Sequence, residues 1–155
     1  MAIDFSAFDQ NVDVEQLAKD VANEPAAEFD EVPNGRYIVS FEAMEIKLTK
    51  AGDKLMFAVQ CKIKEGDQKG RMIFFNRVIS GNKSTEKWND GKAIKSVITW
   101  LEKLGTETVP EFFNYQDFAD CVLDIFQEVK DAVEAEVEYK ADTFNPISIK
   151  EVFDL

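Results

Sequence analysis

Residues 36–79 read RYIVSFEAMEIKLTKAGDKLMFAVQCKIKEGDQKGRMIFFNRVI, a stretch in which apolar and polar residues alternate in three runs. A period of two is typical of β-strands, because successive side chains on a strand point to opposite faces of the sheet. The glycine-bearing segments 51–53 and 65–70 separate the runs and predict turns. The stretch therefore predicts three consecutive antiparallel strands.

The first run changes phase at Ala43. The apolar positions before and after that residue are, in order, Tyr37, Val39, Phe41, Met44, Ile46 and Leu48. A slip of one residue in an alternating pattern is what a β-bulge produces, and a bulge bends its strand. A long, bent first strand suits a small, strongly curved barrel. The second run, 54–64, alternates without interruption, and we expect its odd positions to face the core.

The third run, Arg71 to Ile79, carries large side chains on both faces. We interpret the face of Phe74 as core and expect Phe75 to lie exposed between Arg71 and Arg77. A phenylalanine between two arginines offers a nucleobase a stacking surface flanked by phosphate-binding groups. The alternative is that Phe75 belongs to the core, under the following helices, and that the arginines are solvated.

Beyond residue 89 the apolar spacing becomes helical. It predicts helices over 90–104 and 115–129, followed by strands over 132–141 and 145–152. Three strands, two helices and two strands do not form the βαβ alternation of a parallel sheet. The predicted fold is mainly β with a helical insert (α+β), an OB-like five-stranded antiparallel barrel over residues 34–155 with the insert at about 90–130.

Residues 1–33 are strongly acidic, with nine Asp/Glu against one Lys. The segment 12–21 predicts a short helix, which Pro25 would end. We interpret 1–33 as an acidic N-terminal arm. It is either a flexible segment or one that covers a basic groove or docks a partner.

Positive charge is concentrated in the predicted strands. Residues 34–100 hold 13 of the 18 Lys/Arg and seven acids, although the net charge of the chain is −12. Cations and aromatic rings on adjacent strands are typical of single-stranded nucleic-acid grooves. The predicted DNA-binding residues are Lys47, Lys50, Lys54, Lys62, Lys64, Lys69, Arg71, Phe75, Arg77, Lys83, Lys87 and Trp88.

The chain has no histidine, which removes the usual general base and the commonest transition-metal ligand. We therefore expect no catalytic residues, no metal and no cofactor. Two alternatives stay open. The acidic chain could be a protein–protein interaction module or a DNA mimic. Glu138-Tyr139-Lys140, with Asp124 or Asp131, could instead belong to a magnesium-dependent nuclease.

Two isolated cysteines, Cys61 and Cys121, predict reduced, buried thiols and a cytoplasmic setting. No apolar run approaches the length of a membrane span, and the N-terminus has no secretory pattern, so we expect no membrane partner.

The segments 32–39, 47–52 and 63–71 resemble a known group of proteins. They are similar to small phage early-region proteins whose core begins with a Pro-x-Gly-x-Tyr strand and continues through Lys-x-Gly and Gly-x-x-x-Gly-Arg turns. Tyr139 and 144–147 show a weaker similarity. The resemblance implies a phage single-stranded-DNA-binding protein of OB type, acting in DNA replication or recombination. It also implies single-stranded DNA and phage recombinase or replication proteins as partners in a bacterial host, and leaves homo-oligomerisation open.

Overall fold

The computed structural model describes residues 5–10, 12–23 and 31–155. The chain divides into two compact units, Met1–Glu31 and Val32–Leu155, whereas the sequence placed the boundary at 33/34. The first unit contains helix α1 (Phe5–Asp9) and helix α2 (Val14–Asn23). The predicted short helix is therefore present as α2, while Pro25, which was expected to end it, lies outside the described residues.

The second unit is a five-stranded antiparallel sheet with two helices between its third and fourth strands. Its elements are β1 (Gly35–Leu48), β2 (Leu55–Ile63), β3 (Met72–Val78), α3 (Asp90–Glu102), α4 (Tyr115–Val129), β4 (Val133–Tyr139) and β5 (Ile147–Asp154). The α+β class, the strand count and the position of the helical insert are confirmed. None of the described helices has the length and apolar character that crossing a bilayer requires.

The strand order is β3-β2-β1-β4-β5, so β3 and β5 are the edges of the sheet. Within the described residues these two edges do not pair with each other, and the sheet is not closed into a barrel. The five-stranded antiparallel sheet expected from the sequence is present, whereas the OB-like barrel is not confirmed. The open sheet leaves a gap between β3 and β5.

Strand β1 contains the predicted bulge. Phe41 pairs with Cys61 and Ala43 pairs with Gln60, so Glu42 is the extra residue. On its other side, Gly35–Val39 pairs with β4, while β2 pairs with residues 39–48. The strand thus changes partner along its length, and a bulge supplies the bend that this requires.

The core lies between the inner face of the sheet and the helices. The odd positions of β2 from Phe57 to Ile63 are all fully buried, as predicted. Cys61 is among them, and burial raises the pKa of its thiol, whereas Cys121 on α4 is only half-buried. Trp100 of α3 is also buried, and its ring packs against Phe41, Phe57 and Phe75.

Polar contacts from the helices satisfy backbone groups at both edges of the gap. The Nε1–H of Trp100 donates to the carbonyl of Ile147 in β5 at 2.9 Å. The hydroxyl of Tyr115 in α4 donates to the carbonyl of Ile79, just past β3, at 2.8 Å. A buried carbonyl without a hydrogen-bond partner lowers the stability of the fold. These two bonds therefore stabilise the packing of the helices on the open sheet.

The assignment of the two faces of β3 was wrong. Phe75 is completely buried, whereas 50% of the Phe74 side chain is exposed. Directly opposed residues share a face, and Phe75 pairs with Val59 on the inner face of β2. Because register with β2 decides the direction of each β3 side chain, Phe75 is core and cannot stack a base.

Candidate nucleic-acid interface

Arg77 was predicted to contact phosphate, but it is 8% exposed, and its guanidinium forms hydrogen bonds inside the protein. Its Nη1 donates to Ser96 Oγ of α3 at 2.8 Å. Its Nη2 donates to the carbonyl of Phe144 and to Asn145 Oδ1, the latter at 3.3 Å. Burial lowers the pKa of Arg77. The side chain thus joins β3 to α3 and to the loop before β5, across the gap in the sheet.

Aromatic rings surround this guanidinium. Its central carbon lies 3.9 Å from the ring centroid of Phe144, 4.9 Å from that of Phe75 and 5.9 Å from that of Trp88. Trp88, predicted to bind DNA, is half-buried, and its ring centroid lies 5.3 Å from that of Phe144 in an edge-to-face arrangement. Its Nε1–H donates to Asn82 Oδ1 at 3.3 Å. Trp88 is therefore committed to packing around Arg77.

The outer face of β2 and β3 carries the exposed ring that the sequence assignment placed inside. Phe74 lies opposite Gln60, and the neighbouring pairs are Asn76 with Ala58 and Met72 with Lys62. We call Gln60, Lys62, Met72, Phe74 and Asn76 the outer face. Glu45 of β1, opposite Ala58, places one carboxylate beside it.

The predicted cations lie in two groups at opposite ends of β2 and β3 rather than in one cluster. The Lys54 side chain lies against the backbone of Gly81. A methyl group placed on the Gly81 Cα would be 3.2 Å from Lys54 Cγ. This contact brings together the β1–β2 turn and the loop after β3. The first group is Lys47, Lys50, Lys54, Lys83 and Lys87; the second is Lys62, Lys64, Lys69 and Arg71.

The two groups lie at the two ends of the outer face, and Lys62 belongs both to that face and to the second group. Met56, near the first group, and Lys62, in the second, are six residues apart on β2, or about 20 Å along a strand. Within the described ranges, none of the eight lysines in these groups forms an ion pair. Arg71 is half-buried, and its Nη1 donates to Gln68 Oε1 at 2.9 Å. Seven of these lysines are therefore available to an external anion, whereas the charge of the half-buried Lys54 already acts on Asp90.

Glu138, the centre of the nuclease alternative, lies among cations. Its carboxylate oxygens are 3.7 Å from Lys140 Nζ and 3.5 Å from Lys150 Nζ. The charges of Lys140 and Lys150 hold the pKa of Glu138 below its ordinary value. Among residues 5–10, 12–23 and 31–155, no three Asp, Glu or Cys side chains converge as metal ligands. The convergence that a magnesium site requires is missing from this part of the chain.

Sequence reasoning missed Phe74 and Phe144 as exposed rings. The pairing register with β2, which no local pattern encodes, distinguishes Phe74 from Phe75. Phe144 belongs to a polar loop, and only its contact with Arg77, 67 positions earlier in the chain, marks it as part of a site.

Comparison with known proteins yields one family. No curated protein matches the sequence. A family model described as "Protein of unknown function (DUF669)" matches residues 16–153, which include nearly all of the second unit. The chain therefore belongs to the DUF669 family.

Proposed function

We propose that this protein binds single-stranded DNA without sequence specificity, through the outer face of β2 and β3. The observation that carries the proposal is Phe74, half-exposed on a sheet face between two groups of unpaired lysines. Phe75, Arg77 and Trp88 take no direct part, because each is committed to the core or to packing.

The chemistry of the outer face suits a flexible polyanion. An exposed aromatic ring stacks any base, since every base has a π-face, for roughly 1–3 kcal/mol. Lysines at both ends neutralise phosphates and release counterions. Gln60 and Asn76 add amide groups, which can donate to phosphate or base oxygens.

The architecture supports the same proposal. We interpret the sheet as an OB barrel opened between β3 and β5, with α3 bridging the gap through Trp100 and Arg77. OB-folds bind oligonucleotides on the face of strands 2 and 3 and with neighbouring loops. Together with the resemblance of the early strands to phage proteins, this favours a role in phage DNA replication or recombination, in the host cytoplasm and beside a recombinase or replication protein.

The test is fluorescence anisotropy with labelled oligo(dT) at low and high salt. We expect steeply salt-dependent binding, and Phe74→Ala should weaken it roughly tenfold or more. Phe113→Ala is the matched control, because Phe113 is 75% exposed in the loop before α4, away from β2 and β3. Equal affinity for duplex DNA, no binding at low salt, or an unchanged affinity of Phe74→Ala would overturn the proposal.

A second candidate function, protein–protein interaction, is favoured by a groove at α4. The groove has a volume of about 320 Å³ and combines apolar and acidic side chains. Val109 and Phe113 are 63% and 75% exposed. The acids of the groove are Glu111, Asp117, Asp120 and Asp124. Charge complementarity fits this surface to a basic partner segment with an apolar anchor.

A peptide of alternating lysines and leucines probes the second candidate. The peptide should bind the wild type, lose affinity in Phe113→Ala and lose it again in high salt, while Phe74→Ala binds normally. Retention of full affinity by Phe113→Ala would exclude this groove. If the wild type binds the peptide but not oligo(dT), the second candidate replaces the first.

A further inference from the structure

A cleft of about 260 Å³ lies between α3 and the loop that joins β4 to β5. It sits at the gap between the sheet edges, where Trp100 and Ser96 of α3 contact Ile147 and Arg77. The outer face lies on the opposite side of β3, since Phe74 and Arg77 point to different faces. The cleft is therefore separate from the proposed stacking surface.

The lining of the cleft is cationic in a chain whose net charge is −12. Lys95, Thr99 and Lys103 follow one another at intervals of four residues, which places them on one side of α3. No Asp or Glu lines the cleft, and neither lysine forms an ion pair within the part of the chain that the structure describes. Two lysines without an ion-pair partner on the lining of one cleft favour an anionic ligand.

Neutral donors supplement the two lysines. Asn145 Oδ1 accepts from Arg77, so the remaining polar atom of that amide is the donor Nδ2. Ser148 also lines the cleft, and its hydroxyl can donate as well. Phosphate oxygens accept from lysine, amide and hydroxyl donors of this kind.

An aromatic ring adjoins these donors. Phe144 lines the cleft and is 58% exposed. The Arg77 guanidinium, 3.9 Å from the ring centroid and bonded to the Phe144 carbonyl, holds the residue in place. An immobilised ring beside a cationic cleft matches a ligand with a phosphate at one end and a flat base at the other.

We propose that this cleft binds the terminal phosphate monoester of a nucleotide or of a DNA end, with the adjoining base against Phe144. Two lysines match a monoester, which carries about −1.5 to −2 at neutral pH, better than a diester with a single charge. Binding of a DNA end rests on the proposed function, whereas binding of a mononucleotide does not. A volume of about 260 Å³ is just below the roughly 300–1,000 Å³ of typical ligand pockets, so the cleft suits a small ligand such as one terminal nucleotide.

The experiment compares oligo(dT) carrying a 5′-phosphate, a 3′-phosphate or only hydroxyl ends, and separately titrates thymidine monophosphate and thymidine. We expect one phosphorylated end to bind roughly five- to twentyfold tighter than the hydroxyl form, a gain consistent with charge-assisted hydrogen bonds. Lys95→Gln with Lys103→Gln should abolish that preference and the binding of thymidine monophosphate. Lys19→Gln with Lys130→Gln removes the same charge elsewhere, at two exposed positions, and should retain both.

The outcomes separate the two proposals. If oligo(dT) binds equally with and without a terminal phosphate and thymidine monophosphate does not bind, the cleft proposal fails while the proposed function stands. If thymidine monophosphate binds in a Lys95- and Lys103-dependent manner but no oligonucleotide does, the cleft proposal stands and the proposed function fails. Identical binding of thymidine and its monophosphate would also overturn the cleft proposal, because the phosphate would then contribute nothing.

Discussion

The guanidinium of Arg77 lies over the ring of Phe144, 3.9 Å from its centroid, and also donates to the backbone carbonyl of the same residue. The two residues are 67 positions apart and belong to β3 and to the loop before β5. Because β3 and β5 do not pair, the Arg77 side chain connects β3 to the loop before β5, and its bond to Ser96 connects β3 to α3.

Replacing Arg77 with lysine tests whether these contacts of Arg77 stabilise the fold. A lysine keeps the charge but cannot reach several acceptors in one plane, so the part-buried acceptors on Ser96, Phe144 and Asn145 lose donors. We expect Arg77→Lys to lower the free energy of unfolding by roughly 1–3 kcal/mol in urea denaturation. Arg36→Lys is the control, since Arg36 is exposed and its pair with Glu136 spans 4.0 Å, and its effect should stay near zero. Equal effects of the two changes would refute the structural role of Arg77.

Phe74 and Phe75 form a matched pair for testing the faces of β3. Phe75→Ala removes a fully buried ring packed on Phe57 and Trp100 and should cost about 3–5 kcal/mol of unfolding free energy. Phe74→Ala removes a half-exposed ring and should cost about 1 kcal/mol or less. Thermal denaturation of both variants measures the difference. A larger loss for Phe74→Ala would mean that the register between β2 and β3 is incorrect.

Asp90 is expected to make stability depend on acid pH. Its carboxylate accepts from the backbone N–H groups of Asn82 and Gly81 and from the Asn82 side chain, and the Asn82 backbone bond is the main cause that lowers the pKa of Asp90 below 3.8. A carboxyl whose pKa is lower in the folded state stabilises the protein above its unfolded pKa. That contribution disappears as the pH falls through the folded pKa.

We therefore expect Asp90→Asn to destabilise the protein at pH 7 by about 1 kcal/mol, with a smaller difference from wild type at pH 3. Urea denaturation at both pH values measures this, and Asp124→Asn, at an exposed position of α4, controls for the loss of one negative charge. A difference that grows toward low pH would contradict the sign of this argument.

The two thiols should differ in reactivity. Cys61 is fully buried and its pKa is raised by desolvation, so it supplies almost no thiolate to a disulfide reagent. Cys121 is half-buried on α4 and should react in the native protein. Titration with a chromogenic disulfide should detect one thiol in buffer and two in denaturant. Cys121→Ser should leave none reactive before unfolding, and rapid labelling of that variant would show that the core around Cys61 opens.

Much of the fold was predictable because it is encoded locally. The one-residue shift in the apolar pattern at Ala43 predicted the bulge in β1. Apolar residues and the side-chain direction on a strand both repeat every two residues, so a shift in one marks a shift in the other. The helical stripe predicted α4 with its observed bounds, Tyr115–Val129, and α3 to within two residues of its end at Glu102. The closing strands shifted by one to two residues, because their ends depend on pairing with each other.

The site was less predictable because it depends on contacts between distant residues. The accumulation of cations in residues 34–100 was visible in the sequence, but their separation into two groups follows from the antiparallel hairpin of β2 and β3. The burial of Arg77 requires Ser96, Phe144 and Asn145, all of which come later in the chain.

The sequence by itself determined the elements and their order, because turns, alternation and helical stripes are local properties of the chain. Only the tertiary structure decided which of two adjacent phenylalanines faces solvent, since β3 is apolar on both sides and its pairing with β2 under α3 selects the inner one. The open edge between β3 and β5 was likewise decided in three dimensions, because the contacts that connect its two sides come from Trp100 and Arg77, whose partners lie far away in the chain.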